Sequence, residues 1–150
     1  MSRDMFDDPR SQEADDLSLQ AELLERRGEL AAARELYGRA AGLEEALARE
    51  TPGESPRVRG VLAISAVSLW AAAGVLARAI GLADEFLADA GLTASARAEL
   101  GKLAEELRAR AAREHHNAVV ATLMESWLRR EPSGPDFDPD ALERVRIEAA

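Results

Sequence analysis

Leucine recurs at helical spacing through the first third of the chain, and a single glycine interrupts the pattern. Between Leu17 and Leu47 the leucines repeatedly return to the same side of an α-helix. Gly28, in the segment RRGEL, can adopt the positive φ that ends one helix and allows another to begin. The pattern predicts a helical hairpin made of roughly residues 11–27 and roughly residues 29–49.

The amino-acid composition favours helices over strands. Ala and Leu account for 31 and 20 of the 150 residues, whereas Val, Ile and Thr together number 13. Ala and Leu are among the best helix formers, and strands are enriched in β-branched and aromatic residues. We therefore expect an all-α fold, and the length fits one domain with a buried core.

A second hairpin is predicted after the proline-containing segment TPGESPR, which cannot continue a helix. Ser55 is a good N-cap for the next helix, and Gly74 supplies a turn like that at Gly28. Gly91 is expected to end the hairpin as a C-cap. The two helices are predicted at roughly residues 56–73 and roughly residues 75–90.

The remaining sequence predicts a long C-terminal element. Thr93 is expected to cap a helix that reaches about Arg130, either unbroken or divided near residues 115–117. The segment EPSGPDFDPD then has the composition of a linker, and a last short helix is expected from Asp138. In sum we expect a disordered N-terminus (1–10), one helical domain (11–130), and an acidic linker with a short C-terminal helix (131–150).

The two predicted hairpins share a layout. In RRGELAAARELYGRA and in WAAAGVLARAIGLADEF, small or aromatic residues follow the glycine at the same offsets of five, nine and twelve. At these positions the chain resembles the tetratricopeptide repeat family, although its two glycines are 46 residues apart and the family repeats every 34 residues. The second copy also departs at Val67 and Ala83, where the family usually has a small and an aromatic residue. The matching residues are Ala21, Leu24, Gly28, Ala33, Tyr37 and Ala40 in the first copy and Trp70, Gly74, Ala79 and Phe86 in the second.

The resemblance implies a scaffold that holds a partner peptide or helix on a concave face. Acidic residues on that face would favour a basic or apolar partner segment. An alternative is that the C-terminal helices cover Val61 and Ile64 and that the acidic residues are merely solvated. By register, the concave face would display Asp15, Ser18, Glu22 and Glu25 from the first hairpin and Val61, Ile64, Ser68 and Ala71 from the second.

Charge and motifs exclude several other functions. The net charge is −9, and the most basic segment, residues 97–130, has seven basic and five acidic side chains, so we expect no nucleic-acid partner. The chain has no cysteine, and His115 and His116 are adjacent, which directs them about 100° apart on a helix. We therefore expect no metal, no cofactor and no catalytic residues.

Two alternatives stay open from the sequence. Arg110 precedes His115 by five residues, which resembles the catalytic motif of the all-helical HEPN ribonucleases, although Ala111 replaces their usual polar residue. The resemblance implies a dimeric enzyme in which the His moves the 2′-hydroxyl proton and the Arg stabilises the phosphate transition state. The other alternative is a homo-oligomer in which the apolar helix 61–73 packs against its twin.

The sequence also predicts the protein's surroundings. The 17 uncharged residues from Val61 to Ala77 are too few and too interrupted for a membrane span. The first ten residues resemble no signal peptide, so we expect a cytoplasmic bacterial protein. Trp70 and Trp127 are expected to lie in the core. The function predicted overall is a non-enzymatic adaptor or regulatory subunit that binds another protein.

Overall fold

The computed structural model of the protein describes residues 8–130, which form five α-helices and no strand. The fold is all-α, as the composition predicts. The expectations for residues 1–7 and 131–150 lie outside the described residues. The helices are α1 (Pro9–Arg26), α2 (Leu30–Glu50), α3 (Pro56–Ala72), α4 (Leu76–Ala88) and α5 (Ala94–Arg129).

The two glycine turns are confirmed. Gly28 has a φ of 78° and Gly74 a φ of 81°, and they are the glycines with positive φ in the described part of the chain. Thr93 caps α5 by accepting a hydrogen bond from the backbone N–H of Ala96 at 3.1 Å. Of the two possibilities for the C-terminal element, the structure shows one unbroken helix, α5.

Three details of the helix ends differ from the predictions. α1 begins two residues earlier than expected, because Asp8 accepts a hydrogen bond from the backbone N–H of Arg10 at 2.9 Å and caps the helix. Ser55 precedes α3, but its side chain makes no capping hydrogen bond. α4 ends at Ala88, so Gly91 is not its C-cap; the Gly91 N–H donates instead to the Asp89 carboxylate at 2.8 Å.

The two helices of the first hairpin pack in antiparallel order. Arg10, at the start of α1, forms an ion pair of 2.7 Å with Glu50 at the end of α2. Tyr37 is buried among side chains of α1, α2 and α3, including Ala21 and Ala73. An aromatic residue thus fills the space between the first hairpin and the second, while small residues allow the helices to approach closely.

A buried carboxylate joins three helices. Glu45 of α2 accepts hydrogen bonds from the indole N–H of Trp70 on α3 at 2.8 Å and from Arg78 on α4 at 3.0 Å. Arg49, one turn along α2, donates to Glu45 at 2.9 Å and to Glu85 of α4 at 2.9 Å. The Arg78 guanidinium also lies 4.7 Å from the centre of the Trp70 ring.

These contacts keep Glu45 ionised although it is buried. Burial alone would raise the pKa of the Glu45 carboxyl, but the hydrogen bonds from Arg49, Trp70 and Arg78 outweigh burial and lower the pKa. The buried Glu45 carboxylate stabilises the packing of α2 against α3 and α4 only while its three donors stay hydrogen-bonded to it.

The described residues divide between two compact units, with the boundary after Ala112. In the first unit, α3 and α4 form the main core together with Leu47 of α2 and with Leu100 and Leu107 of α5. In the second unit, every described side chain is exposed. Trp127 is 73% exposed, so the prediction that it lies in the core is wrong, whereas Trp70 does pack against the core.

No helix within residues 8–130 combines the length and the apolar character needed to cross a bilayer.

Gly60 allows α3 to approach α5 closely. A Cβ atom at this position would lie 2.6 Å from the Cβ of Ala96 on α5, which is too close for two carbon atoms. We expect Gly60→Ala to destabilise the fold by about 1–3 kcal/mol, because a helix must shift. Gly81→Ala is the matched control, since a Cβ there has no neighbour within 4 Å. It should be neutral or stabilise by up to about 1 kcal/mol in urea unfolding.

We expect Glu45→Gln to lower the free energy of unfolding by about 1–3 kcal/mol at neutral pH, because the half-exposed Arg49 and Arg78 lose the buried carboxylate that they contact. Glu35→Gln, on the exposed side of the same helix, should change it by less than about 0.5 kcal/mol. Thermal unfolding followed by circular dichroism measures both. Equal effects of the two substitutions would contradict a structural role for the Glu45 contacts.

Candidate partner-binding groove

The exposed face of α3 forms the floor of a groove. Val61 is 51% exposed, and Ile64 is half-buried and packs against the core. Together they line a cavity of about 470 Å³ between α3 and the first turns of α5. The C-terminal helix therefore borders this face and leaves Val61 open to solvent. The other lining residues are Arg57, Thr93, Ser95, Ala96 and Glu99.

Glu44 lies where α1, α2 and α3 meet. Its side chain is buried, hydrogen-bonds with Ser65 of α3, and experiences the charge of Asp15 on α1. Burial and the negative Asp15 raise the pKa of Glu44 to about 7, and the Ser65 hydrogen bond offsets only part of that rise. Asp15, predicted for the concave face, is thus brought to the α3 side of the first hairpin.

Two more of the predicted acidic residues lie near the end of α1. Glu25 accepts a hydrogen bond from the Tyr37 hydroxyl at 3.1 Å. Burial raises the pKa of Tyr37, and the charges of Glu25 and Glu22 raise it further, so both carboxylates lie close to the hydroxyl. Glu25 and Tyr37 also line a cavity of about 220 Å³ with Ala71, Ala72 and Arg110.

The remaining predicted residues differ in exposure. Ser68 is exposed on α3. Ser18 is half-buried, and its hydroxyl donates to the Ala14 carbonyl at 2.8 Å, so it is held by its own helix. Ala71 is buried in the main core, and its predicted display on the concave face is therefore wrong, because α3 turns that side toward its neighbours.

The groove has an apolar floor with Arg57 and Glu99 at its edge. We use the name "α3 groove" for this cavity and the adjoining exposed face of α3, with Val61, Ile64 and Ser68. Glu99 lines it, and Asp15 and Glu22 of α1 were predicted for the same surface. Those three carboxylate side chains are exposed. Such a surface attracts cationic groups and offers apolar contact between them. Within residues 8–130, no group of three or more histidine or acidic side chains is placed to hold a metal ion.

The residues of the ribonuclease alternative lie on α5. Arg110 is half-buried and lines the smaller cavity, and His115 is exposed. His116, the next residue, is also exposed. The pairing of Arg110 with His115 across a dimer stays a prediction.

The sequence analysis missed two acidic residues, Glu99 of the groove and the buried Glu44 close to it. Glu44 belongs to an acidic pair, Glu44 and Glu45, which reads in sequence as a solvated helix surface. Glu44 follows Tyr37 by seven residues and precedes Leu47 by three, which places it on the apolar face of α2. This position is the only signal of its burial. Glu99 was missed because its role depends on how α5 packs beside α3, and no sequence spacing determines that.

Comparison with models of known protein families, with curated proteins and with solved structures finds no match to this chain. The resemblance to tetratricopeptide repeats therefore stays a prediction.

Glu44 makes the stability of the fold depend on pH. Because the pKa of Glu44 rises from 4.5 in its ordinary state to about 7 in the folded state, the folded state binds more protons between these values. The free energy of unfolding therefore decreases as pH rises through this window. We expect Glu44→Gln to be nearly neutral at pH 5 and to stabilise by about 2–3 kcal/mol at pH 8, measured by urea unfolding.

The matched control is Glu45→Gln, one residue along the chain, which should destabilise at pH 8. A Glu44→Gln effect that is the same at both pH values would show that the Glu44 carboxyl titrates normally.

Proposed function

We propose that this protein is a non-enzymatic protein–protein interaction module of the cytoplasm, and that the α3 groove binds a basic or apolar segment of its partner. One observation carries the proposal: the exposed Glu99 of α5 borders a partly exposed apolar strip on α3, formed by Val61 and Ile64. The resemblance to tetratricopeptide repeats supports it, because that family presents its concave face to peptides and helices.

The electrostatics of the groove favour a cationic partner. Glu99 of α5 lines the cavity beside Val61, and Asp15 of α1 lies close to Glu44, which hydrogen-bonds with Ser65 of α3. Arg57 is the basic residue that lines the larger cavity, and Glu99 lines it too. A partner with lysine or arginine on both sides of an apolar residue would place charges against these carboxylates and its apolar side chain near Val61.

A buried, partly protonated Glu44 below this surface suits such a partner. An arriving cation would lower the pKa of Glu44 toward its ordinary value and release a proton. Binding would then strengthen as pH rises from 6 to 8. The stability of the fold changes in the opposite direction, because it decreases over the same pH range.

The test is a quantitative pull-down from lysate, followed by titration of the purified partner. We expect Glu22→Lys with Glu99→Lys to weaken binding at least about tenfold, because the charges of a predicted concave-face carboxylate and of the carboxylate that lines the cavity are both reversed. Glu13→Lys with Glu35→Lys is the matched control: it makes the same change in charge at exposed positions outside the groove, and it should bind like the native chain.

Circular dichroism confirms that both variants keep their helices. Equal loss of binding in the two variants would show that net charge, and not the groove, is recognised. Recovery of the chain without any partner would contradict the adaptor function.

A further inference from the structure

The last part of α5 carries a broad apolar surface. Between residues 113 and 130 every side chain is exposed, and the large apolar ones all lie on one side of the helix. At 100° per residue they span about half of the helix circumference. We call this surface the α5 stripe; its members are Val119, Val120, Leu123, Met124, Trp127 and Leu128.

The size of the α5 stripe matches that of a stable protein interface. Leu123 is 64% exposed, Trp127 73% and Leu128 71%. The six side chains together leave roughly 700 Å² of apolar surface per copy in water, close to the ~800 Å² that each partner contributes to a standard interface. Isolated patches of this size mark interaction sites on folded proteins.

Charge favours an apolar partner over a charged one. No Asp, Glu, Lys or Arg occurs between Glu114 and Glu125, although 31% of the chain is charged. The described residues from Arg113 to Arg130 carry three Arg and two Glu, a net charge of +1. Two identical copies can therefore approach along this stretch without burying a charge and with little repulsion.

The order of side-chain sizes determines how a second copy fits. The first half of the stripe has the smaller Val119 and Val120, and the second half has the bulky Met124, Trp127 and Leu128. In a parallel pair, Trp127 would meet Trp127 and the valines would be held apart. In an antiparallel pair, Trp127 of each copy lies opposite Val119 and Val120 of the other, which keeps the helix axes evenly spaced.

We propose that a second copy of this chain covers the α5 stripe, and that the two α5 helices pair in antiparallel order about Leu123. This surface is separate from helix 61–73, the face considered for self-association from the sequence. It is also independent of the α3 groove, and the dimer would carry two such grooves.

The first test is the oligomeric state by light scattering and sedimentation. The native chain should be a dimer, and Leu123→Glu should be a monomer at the same concentrations. Thr122→Glu adds the same charge at the adjacent residue on the far side of the helix, and it should stay dimeric. Both variants should keep the cooperative thermal unfolding of the native chain; if Leu123→Glu does not, Trp127→Ala replaces it and should weaken the dimer at least about tenfold.

The second test uses the absence of cysteine from the chain. His116→Cys and Arg130→Cys lie 14 residues apart, roughly 21 Å along a helix, and each should meet the other across an antiparallel pair. In oxidised glutathione, a mixture of the two variants should form mixed disulfides faster than either forms disulfides with itself.

Three results would overturn the proposal. A native chain that stays monomeric to about 100 µM removes the second copy. Faster disulfide formation within each variant alone shows a parallel pair. Binding of the monomeric chain to anionic phospholipid vesicles, lost in Leu123→Glu, assigns the stripe to a membrane surface. The groove variant Glu22→Lys with Glu99→Lys should remain dimeric, so failure of the proposed partner binding leaves this test unaffected.

Discussion

Close contact between helices depends here on alanine. Of the 25 buried apolar residues in the described part of the chain, 14 are alanines. Alanine lets two helix backbones approach closely, but it removes little apolar surface from water, so each contact contributes little free energy. A core of this kind needs directional contacts in addition. The hydrogen bonds that converge on Glu45 supply them, because they join α2, α3 and α4 at defined positions.

The sequence predicts the helices well and the burial of polar groups poorly. Helix positions follow from leucine spacing and from the turns at Gly28 and Gly74, which are local signals. Burial of Glu44 and Glu45 depends on side chains from other helices, and apart from the position of Glu44 on the apolar face of α2, little in the local sequence distinguishes them from the exposed Glu35. Ala71 and Trp127 were misplaced for the same reason: both lie on apolar helix faces, and only tertiary packing decides which faces are covered.

The candidate groove, too, was predicted from the sequence only in part. Asp15, Glu22 and Val61 were placed on one surface from the register of two similar hairpins, and the structure shows each of them exposed. Glu99, which lines the cavity, was not predicted, because it belongs to α5, a helix outside the two similar hairpins. Two neighbouring carboxyls further illustrate the limit: three hydrogen-bond donors lower the pKa of Glu45, whereas burial and the charge of Asp15 raise the pKa of Glu44.

The contact between Gly60 and Ala96 has a consequence for recognition. Since no side chain longer than a methyl group separates α3 from α5 at this point, backbone atoms determine the width of the groove there. Such a groove loses little conformational entropy when a ligand enters, and it cannot widen for a bulkier one. Selection among ligands would then act through their shape, and a change of preferred ligand would require new side chains along the rim and not a rearrangement of the helices.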